Sequence, residues 1–194
     1  MPVGFAGTYI PTAYDGDRHI YLVGGFLIDG ETNQRSIIER VDRFNIDTQQ
    51  FDHVGALAIV TSTEIFFHNN LIYVVGAEGL HTFNVLSRET LEFLKFDTLV
   101  PICSCFDGAD NIYIMSKDTF TRFTLSTKQS VQLSMGPKPN KNQVIFYDGH
   151  RGLIFSFGNR SKSHQYSISD NEWTTHNAEI DRESVIDGGC LVRD

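Results

Sequence analysis

The sequence has few of the residues that favour helices or sites built on sulfur. Its 194 residues include three Met, three Cys and one Trp, against 15 Phe and seven Tyr. No window shows sustained helical periodicity, and no apolar run approaches the roughly 18 residues that a membrane-spanning helix needs. Because aromatic residues are enriched in strands, this composition predicts an all-β protein without a membrane helix.

Positive charge is also scarce. The chain carries 16 Lys and Arg against 24 Asp and Glu, which gives a net charge of −8 and an isoelectric point near 5.3. Proteins that bind nucleic acids normally have a basic surplus, so no nucleic-acid partner is expected. The N-terminus lacks the charged start and apolar core of a secretory signal, and the few cysteines agree with a reducing compartment. We therefore expect a soluble, cytoplasmic protein with no membrane partner.

The usual signatures of catalysis and metal binding are missing. The seven histidines form no His-x-x-x-His pair and no Cys/His ligand pattern, and there is no Gly-x-Ser-x-Gly elbow or phosphate-binding glycine loop. Cys103 and Cys105 lie two residues apart on a predicted strand, so both are expected to face the core. The sequence predicts no catalytic residue, no metal and no cofactor, and hence a protein that is not an enzyme.

What the chain does contain is a repeat of roughly 40 residues. Each copy opens with an aromatic or aliphatic residue followed by a turn former, as in a tight β-hairpin. The five copies of this signal are Tyr14-Asp15-Gly16, Phe67-His68-Asn69, Phe106-Asp107-Gly108, Tyr147-Asp148-Gly149 and Ile186-Asp187-Gly188.

Three further strand signals follow each of the first four turns. The second strand is apolar on both faces, and the third carries an aromatic residue between polar ones: Phe44, Phe83, Phe123 and Tyr166. The fourth is predicted to open at Phe51, Leu91, Val131 and Trp173. One four-stranded sheet cannot bury both its faces alone, whereas radial stacking of such sheets buries them. This pattern favours a β-propeller over the alternative, a β-sandwich with several hairpins.

The repeat resembles the kelch motif, in which a strand ends in Gly-Gly, an aromatic residue lies in the third strand and Trp opens the fourth. Gly24 and Gly25 supply the doublet in the first repeat, and Trp173 supplies the Trp in the fourth. The other repeats depart from the motif, and no repeat has both features. The resemblance implies a kelch-type propeller that binds a partner protein through loops on one face. This partner would be a cytoskeletal protein or a recruited substrate.

The repeats predict one domain with four blades and part of another. The blades are expected at about residues 8–56, 60–96, 99–135 and 142–176, and residues 184–194 repeat the opening of a blade. Because kelch-type propellers usually close with more than four blades, we expect an incomplete ring.

Two segments are candidates for partner binding. The first is the longest loop, residues 26–35, which is polar and carries Asp29, Glu31 and Arg35; it is either a binding loop or a tolerated insertion. The second is a group of cations expected on one face of the fourth blade: Lys138, Lys141, Arg160 and Lys162. This group is either a docking site for an acidic protein segment or a solvated basic edge.

The alternative function is an enzyme or ligand-binding propeller with a site at the central axis. Such a site would need a ring of Asp, Glu, Arg or His near the start of each first strand, and we expect these strands to begin around Thr8, Val60, Leu99 and Asn142. No such repetition is present, so the pattern favours an interaction module.

Overall fold

The computed structural model describes residues 10–57, 62–96, 99–136, 138–139, 143–149, 152–159 and 162–177. Within these residues all regular structure is β, as predicted, and no helix is long and apolar enough to cross a membrane. The chain separates into two compact units, Met1–Asp97 and Thr98–Asp194, each of which holds two four-stranded antiparallel sheets.

The first unit contains two four-stranded sheets and one small hairpin. The strands of the first sheet and its insertion are β1 (Thr12–Tyr14), β2 (His19–Val23), β3 (Phe26–Ile28), β4 (Arg35–Ile37), β5 (Arg40–Asn45) and β6 (Gln50–Ala56). The sheet order is β1-β2-β5-β6, and β3 pairs only with β4. The second sheet is formed in sequence order by β7 (Ser62–His68), β8 (Leu71–Gly76), β9 (Gly79–Asn84) and β10 (Thr90–Lys95).

The second unit repeats this plan without an insertion. Its third sheet consists of β11 (Pro101–Phe106), β12 (Asn111–Ser116), β13 (Phe120–Thr124) and β14 (Gln129–Leu133). Its fourth sheet consists of β15 (Val144–Asp148), β16 (Leu153–Asn159), β17 (Lys162–Ser167) and β18 (Glu172–Asn177). The four four-stranded sheets agree with the prediction of four blades. The predicted start of a fifth, residues 184–194, lies outside the described residues.

Every four-stranded sheet has two distinct ends. Tight turns join its first strand to its second and its third to its fourth, and we call this the hairpin end. At the opposite end the second strand joins the third, and the fourth strand leads on along the chain; we call this the connection end. The β3–β4 hairpin is inserted at the connection end of the first sheet.

The strand register shows that the predicted aromatic residues are equivalent. Each pairs with the isoleucine that lies at the same place in the second strand: Phe44 with Ile20, Phe83 with Ile72, Phe123 with Ile112 and Tyr166 with Ile154. Phe83, Phe123 and Tyr166 are at most 1% exposed, whereas Phe44 is only partly buried. The prediction of a fourfold repeat is thereby confirmed.

The fourth strands begin one or two residues before the predicted openings, at Gln50, Thr90, Gln129 and Glu172. The residue equivalent to Trp173 was predicted one position too late in two sheets. The residues that pair with the four aromatics are Phe51, Thr90, Ser130 and Trp173. Leu91 and Val131 therefore do not stand at the Trp position. A shift of one residue places a side chain on the other face of a sheet, and these two are 65% and 44% exposed.

A left-handed residue closes the turn before each fourth strand. It follows the aromatic at the same interval in every sheet and is Gln49, Arg88, Lys128 or Asn171, with φ of 56°, 63°, 56° and 55°. This backbone conformation is uncommon outside glycine. Its recurrence fixes one turn geometry in all four sheets, which is why their registers agree.

A polar residue directly after the aromatic stabilises the same turn. In the first sheet Oδ1 of Asn45 accepts hydrogen bonds from the backbone N–H groups of Asp47 and Thr48, at 2.9 and 3.0 Å. In the second sheet Oδ1 of Asn84 accepts hydrogen bonds from the backbone N–H groups of Leu86 and Ser87, also at 2.9 and 3.0 Å. These Asx turns satisfy backbone donors that the strands leave unpaired.

Within the first unit the two sheets share one core. Its cluster includes Tyr21 and Val41 of the first sheet and Ile65 and Phe83 of the second. The ring of Phe83 lies so close to Gly55 that a Cβ there would come within 2.7 Å of it.

Within the second unit the ring of Trp173 packs against a glycine next to the neighbouring sheet, as the ring of Phe83 does in the first unit. Its Nε1–H donates to the carbonyl oxygen of Ser134 at 2.8 Å, and its ring would lie 2.7 Å from a Cβ at Gly136. Cys103 and Cys105 are 4% and 8% exposed and belong to this unit's core, which confirms their predicted placement.

Candidate partner-binding surfaces

The predicted polar loop at residues 26–35 is a β-hairpin. Phe26, Leu27 and Ile28 form β3 and pair with Ile37, Ser36 and Arg35 of β4. The prediction of a loop was wrong for the strand residues at either side of the tip, because three consecutive apolar residues and their partners form a ladder of their own. The polar residues form the tip of this hairpin.

The glycine doublet separates the hairpin from the first sheet. Gly24 and Gly25 have φ of 64° and 98°, a region that glycine adopts without steric cost. A Cβ at Gly24 would also lie 3.3 Å from the carbonyl oxygen of Ile38. The Gly24 N–H donates to the carbonyl of Arg40, and the Ile38 N–H donates to that of Gly25. The doublet thus provides the positive φ that the chain adopts where it leaves β2 for the hairpin.

Asp29 shapes the tip of the hairpin. Its Oδ1 accepts hydrogen bonds from the backbone N–H groups of Glu31 at 2.9 Å and Thr32 at 2.7 Å. These bonds lower the pKa of the Asp29 carboxyl, the largest contribution coming from the Thr32 N–H. Glu31 and Arg35 are exposed. The structure therefore assigns Asp29 to the turn and leaves the other two predicted binding residues at the surface.

The hairpin also exposes aliphatic side chains. Leu27, Ile28 and Ile37 are 42%, 38% and 41% exposed. By the strand register, Ile28 and Ile37 share one face of the hairpin and Leu27 lies on the other, so aliphatic side chains are exposed on both faces. Exposed apolar residues of this kind mark interaction sites, and an isolated two-stranded hairpin is marginally stable in water. These residues were missed at the sequence level, where a short apolar run is typical of a buried strand.

A buried carboxylate anchors the base of the hairpin. Asp42 is 1% exposed and accepts from Arg40 Nε at 3.0 Å and Nη2 at 2.8 Å. The Nδ1 atom of His53 lies 3.1 Å from Asp42 Oδ1. Two parallel N–H···O bonds give this pair a fixed geometry. The pair holds the start of β5, where the chain returns from the hairpin.

The predicted cationic group is described only in part. Lys138, in the segment that joins the third and fourth sheets, and Lys162, at the connection end of the fourth, are both exposed. Lys141 and Arg160 lie outside the described residues. Burial, and then the nearby charges of Lys162 and His176, lower the pKa of His164. Of the predicted cationic group, the structure thus places Lys138 and Lys162 at the surface.

The axial alternative depends on the four first strands, which begin at Thr12, Ser62, Pro101 and Val144. Glu64 is the acid nearest to the start of one of them among the described residues, and desolvation raises the pKa of its carboxyl to about 7. The residue as a whole keeps solvent-exposed area. The described parts of the other three strands carry no Asp, Glu, Lys, Arg or His at this position, so the charge of Glu64 has no counterpart there.

The histidines, cysteines and acids in the described part of the chain do not converge. They include no group of three or more side chains placed to hold a metal ion.

Two arginines occupy one position of the repeat, directly before the aromatic residue. Arg43 lies between Tyr21 and Asp52 in the first sheet, and its Nη2 donates to Asp52 Oδ2 at 2.9 Å. Arg122 lies between Tyr113 and Val131 in the third sheet. The Nε atoms of both arginines are buried and have no hydrogen-bond partner.

Solved structures with a similar arrangement of sheets support a β-propeller-like fold. One, titled "Structure of YjhT", has a TM-score of 0.63 and 12% sequence identity, and the match covers 76% of this chain and 57% of that one. Another, a structural genomics protein of unknown function from Bacteroides thetaiotaomicron, has a TM-score of 0.60 and 14% identity over 87% of this chain and 43% of that one. The chain thus spans about half the length of these two proteins, and identities this low show the fold alone.

No protein-family model and no curated protein matches the sequence. The class that the fold defines is therefore an all-β, propeller-like protein with four-stranded blades.

Proposed function

We propose that this chain is a non-catalytic protein-interaction module of the kelch type, which binds a partner protein through the β3–β4 hairpin. The observation that carries the proposal is the exposure of Leu27, Ile28 and Ile37 on an inserted hairpin. The glycine doublet that starts the insertion is the feature of the chain most similar to a kelch repeat. A cytoplasmic location and a cytoskeletal or recruited partner are parts of the same proposal.

The hairpin has the composition of a contact surface. Its aliphatic side chains can be buried by a partner, at about 25 cal/mol for each Å² of apolar area. Glu31 and Arg35 beside them are exposed and of opposite charge, as is usual for the polar rim of an interface. Asp29 fixes the turn and so lowers the entropy that ordering the tip would cost.

The second unit offers a separate candidate surface. Lys138 and Lys162, with Lys141 and Arg160 from the sequence, would attract an acidic protein segment. Such charges mainly raise the rate of association, and their effect weakens as salt is added. Reversing Lys138 and Lys162 to Glu tests this surface, with Lys128→Glu at the hairpin end of the third sheet as the control. Equal association rates for both variants would exclude the cationic surface.

The hairpin is tested with a double variant, Leu27→Ser with Ile37→Ser. Its control, Leu86→Ser with Leu91→Ser, removes two leucines that are 75% and 65% exposed in the second sheet. Partners captured from cell extract by the wild-type chain are identified by mass spectrometry, purified and titrated by calorimetry. We expect the hairpin variant to lose affinity about tenfold or more and the control to bind as the wild type does. Equal affinity of both variants for every purified partner would overturn the proposal.

A further inference from the structure

The first and third sheets carry the same row of side chains on one face. In the first sheet the row contains Tyr21, Arg43 and Asp52 on successive strands. In the third it contains Tyr113, Arg122 and Val131. The tyrosine and the arginine are the same in both rows, and the residue on the outermost strand differs.

That difference decides how each guanidinium is neutralised. In the first sheet Asp52 accepts a hydrogen bond from Arg43 and is the main reason that the pKa of Arg43 is raised. In the third sheet Val131 stands at the position of Asp52 and can accept nothing. Within the described residues no carboxylate lies within ion-pair distance of Arg122. Arg122 therefore keeps the place of Arg43 without its counter-ion.

The surroundings of Arg122 make this lack costly. Its Nε is buried without a hydrogen-bond partner. Tyr113 and Tyr166 are 2% and 0% exposed, and the positive charge of Arg122 opposes the rise in the pKa of both that burial causes. The guanidinium belongs to the cross-strand partner of Tyr113, one of these two buried residues. A partly desolvated charge without a partner is unfavourable, so a ligand that supplies the missing charge gains affinity.

The way in is from the outer strand. Arg122 keeps part of its surface accessible, and Val131 beside it is 44% exposed. The planar fork of a guanidinium matches the two oxygens of a carboxylate. We propose that Arg122 binds a carboxylate of an acidic peptide segment of a partner protein, at the position that Asp52 occupies in the first sheet. Val131 would contact the aliphatic stem of the bound residue. The site lies in the second unit and does not depend on the hairpin.

The test combines a peptide titration with a variant, Val131→Asp, that places a carboxylate of the chain itself in the site. The probe is a short peptide of alternating Glu and Val, with a peptide of alternating Gln and Val as the uncharged control, titrated into the full chain. The signal is the Nε–Hε resonance of Arg122 in an NMR spectrum. We expect the Glu peptide to shift this resonance saturably and the Gln peptide to leave it unmoved. In Val131→Asp the new carboxylate should occupy the guanidinium and weaken peptide binding at least about tenfold.

Two control variants, one at each of the two positions, keep the result interpretable. Val131→Thr is close in size to Val131→Asp and uncharged, and it should bind the peptide like the wild type. Arg122→Lys keeps the charge but loses the fork, and it should bind more weakly than the wild type. Circular dichroism and the thermal midpoint verify that each variant is folded. Absence of any shift at about millimolar peptide, or equal affinity of the wild type and Val131→Asp, would overturn the proposal.

The outcome is separable from that of the proposed function. Leu27→Ser with Ile37→Ser should leave the shift of the Arg122 resonance unchanged. Likewise, absence of peptide binding at Arg122 would not affect the result of the capture experiment, which tests the hairpin.

Discussion

The two units use one backbone plan and differ in what they place on it. The first unit pairs Arg43 with Asp52 and inserts a hairpin with exposed aliphatic residues. In the second unit Arg122 lies opposite Val131, Lys138 lies between the third and fourth sheets, and Lys162 lies at the connection end of the fourth. The aromatic residue and the left-handed turn residue are placed alike in both. The repeat thus fixes the strand register and the turn geometry, while the residues that vary between units are the candidates for binding.

The largest expected effect tests whether the aromatic position contributes equally in both units. Phe83 and Phe123 are 0% and 1% exposed. Truncation of either to Ala should cost about 3–5 kcal/mol of unfolding free energy, because it opens a cavity in a packed core. Phe44→Ala should cost less, since Phe44 is only partly buried. Urea titrations measure all three, and a larger loss for Phe44→Ala would contradict the burial seen here.

A smaller effect tests the close contacts between sheets. Gly55→Ala in the first unit and Gly136→Ala in the second each place a Cβ 2.7 Å from a ring, that of Phe83 or Trp173. Overpacking of this kind costs about 1–3 kcal/mol, and we expect a similar loss at both sites. Gly30→Ala is the control, because no heavy atom lies within 4 Å of its Cβ position. Thermal unfolding measures the three variants, and a loss at Gly30 equal to the others would contradict the prediction.

The smallest effect is a pH dependence that should distinguish the fourth sheet from the first. His164 in the fourth and Asp42 in the first both lie two residues before the aromatic and are buried. Asp42 is ion-paired, whereas the Nδ1 of His164 lies 3.1 Å from the Thr175 hydroxyl. Burial lowers the pKa of His164 below its usual 6.5.

The sign of the effect follows from this lowered pKa. Below pH 6.5 the unfolded chain takes up a proton that the folded chain binds less readily, so this residue makes the fold less stable as pH falls. Urea titrations at about pH 7.5 and 5.5 should show a smaller acid-induced loss for His164→Gln than for the wild type. An equal loss in both proteins would exclude His164 as a source of the pH dependence.

The aromatic positions could be predicted because each third strand carries an aromatic residue between polar ones and follows an apolar second strand. Phe44, Phe83, Phe123 and Tyr166 stand out for that reason. The start of the fourth strand could not be placed to the residue, because the left-handed turn residue is Gln, Arg, Lys or Asn and carries no glycine signal.

The candidate sites divide in the same way. The length of segment 26–35 indicated a special region, but Leu27 and Ile28 alone do not reveal that they are exposed. Arg122 was missed because its lack of a counter-ion depends on Val131, nine residues further along the chain and adjacent only through the strand register.

The contact of Trp173 with the preceding sheet has a consequence for how the second unit comes apart. The indole covers Gly136 and donates to Ser134, and Asn171 accepts from the Ser134 N–H at 2.9 Å. The outer strand of one sheet is thereby fastened to the chain that leaves its neighbour. Loss of the fourth sheet would expose the core that it shares with the third, so the two should open together in hydrogen exchange, as a single cooperative foldon. The smallest piece of this unit that can be expected to survive proteolysis is then the pair of sheets.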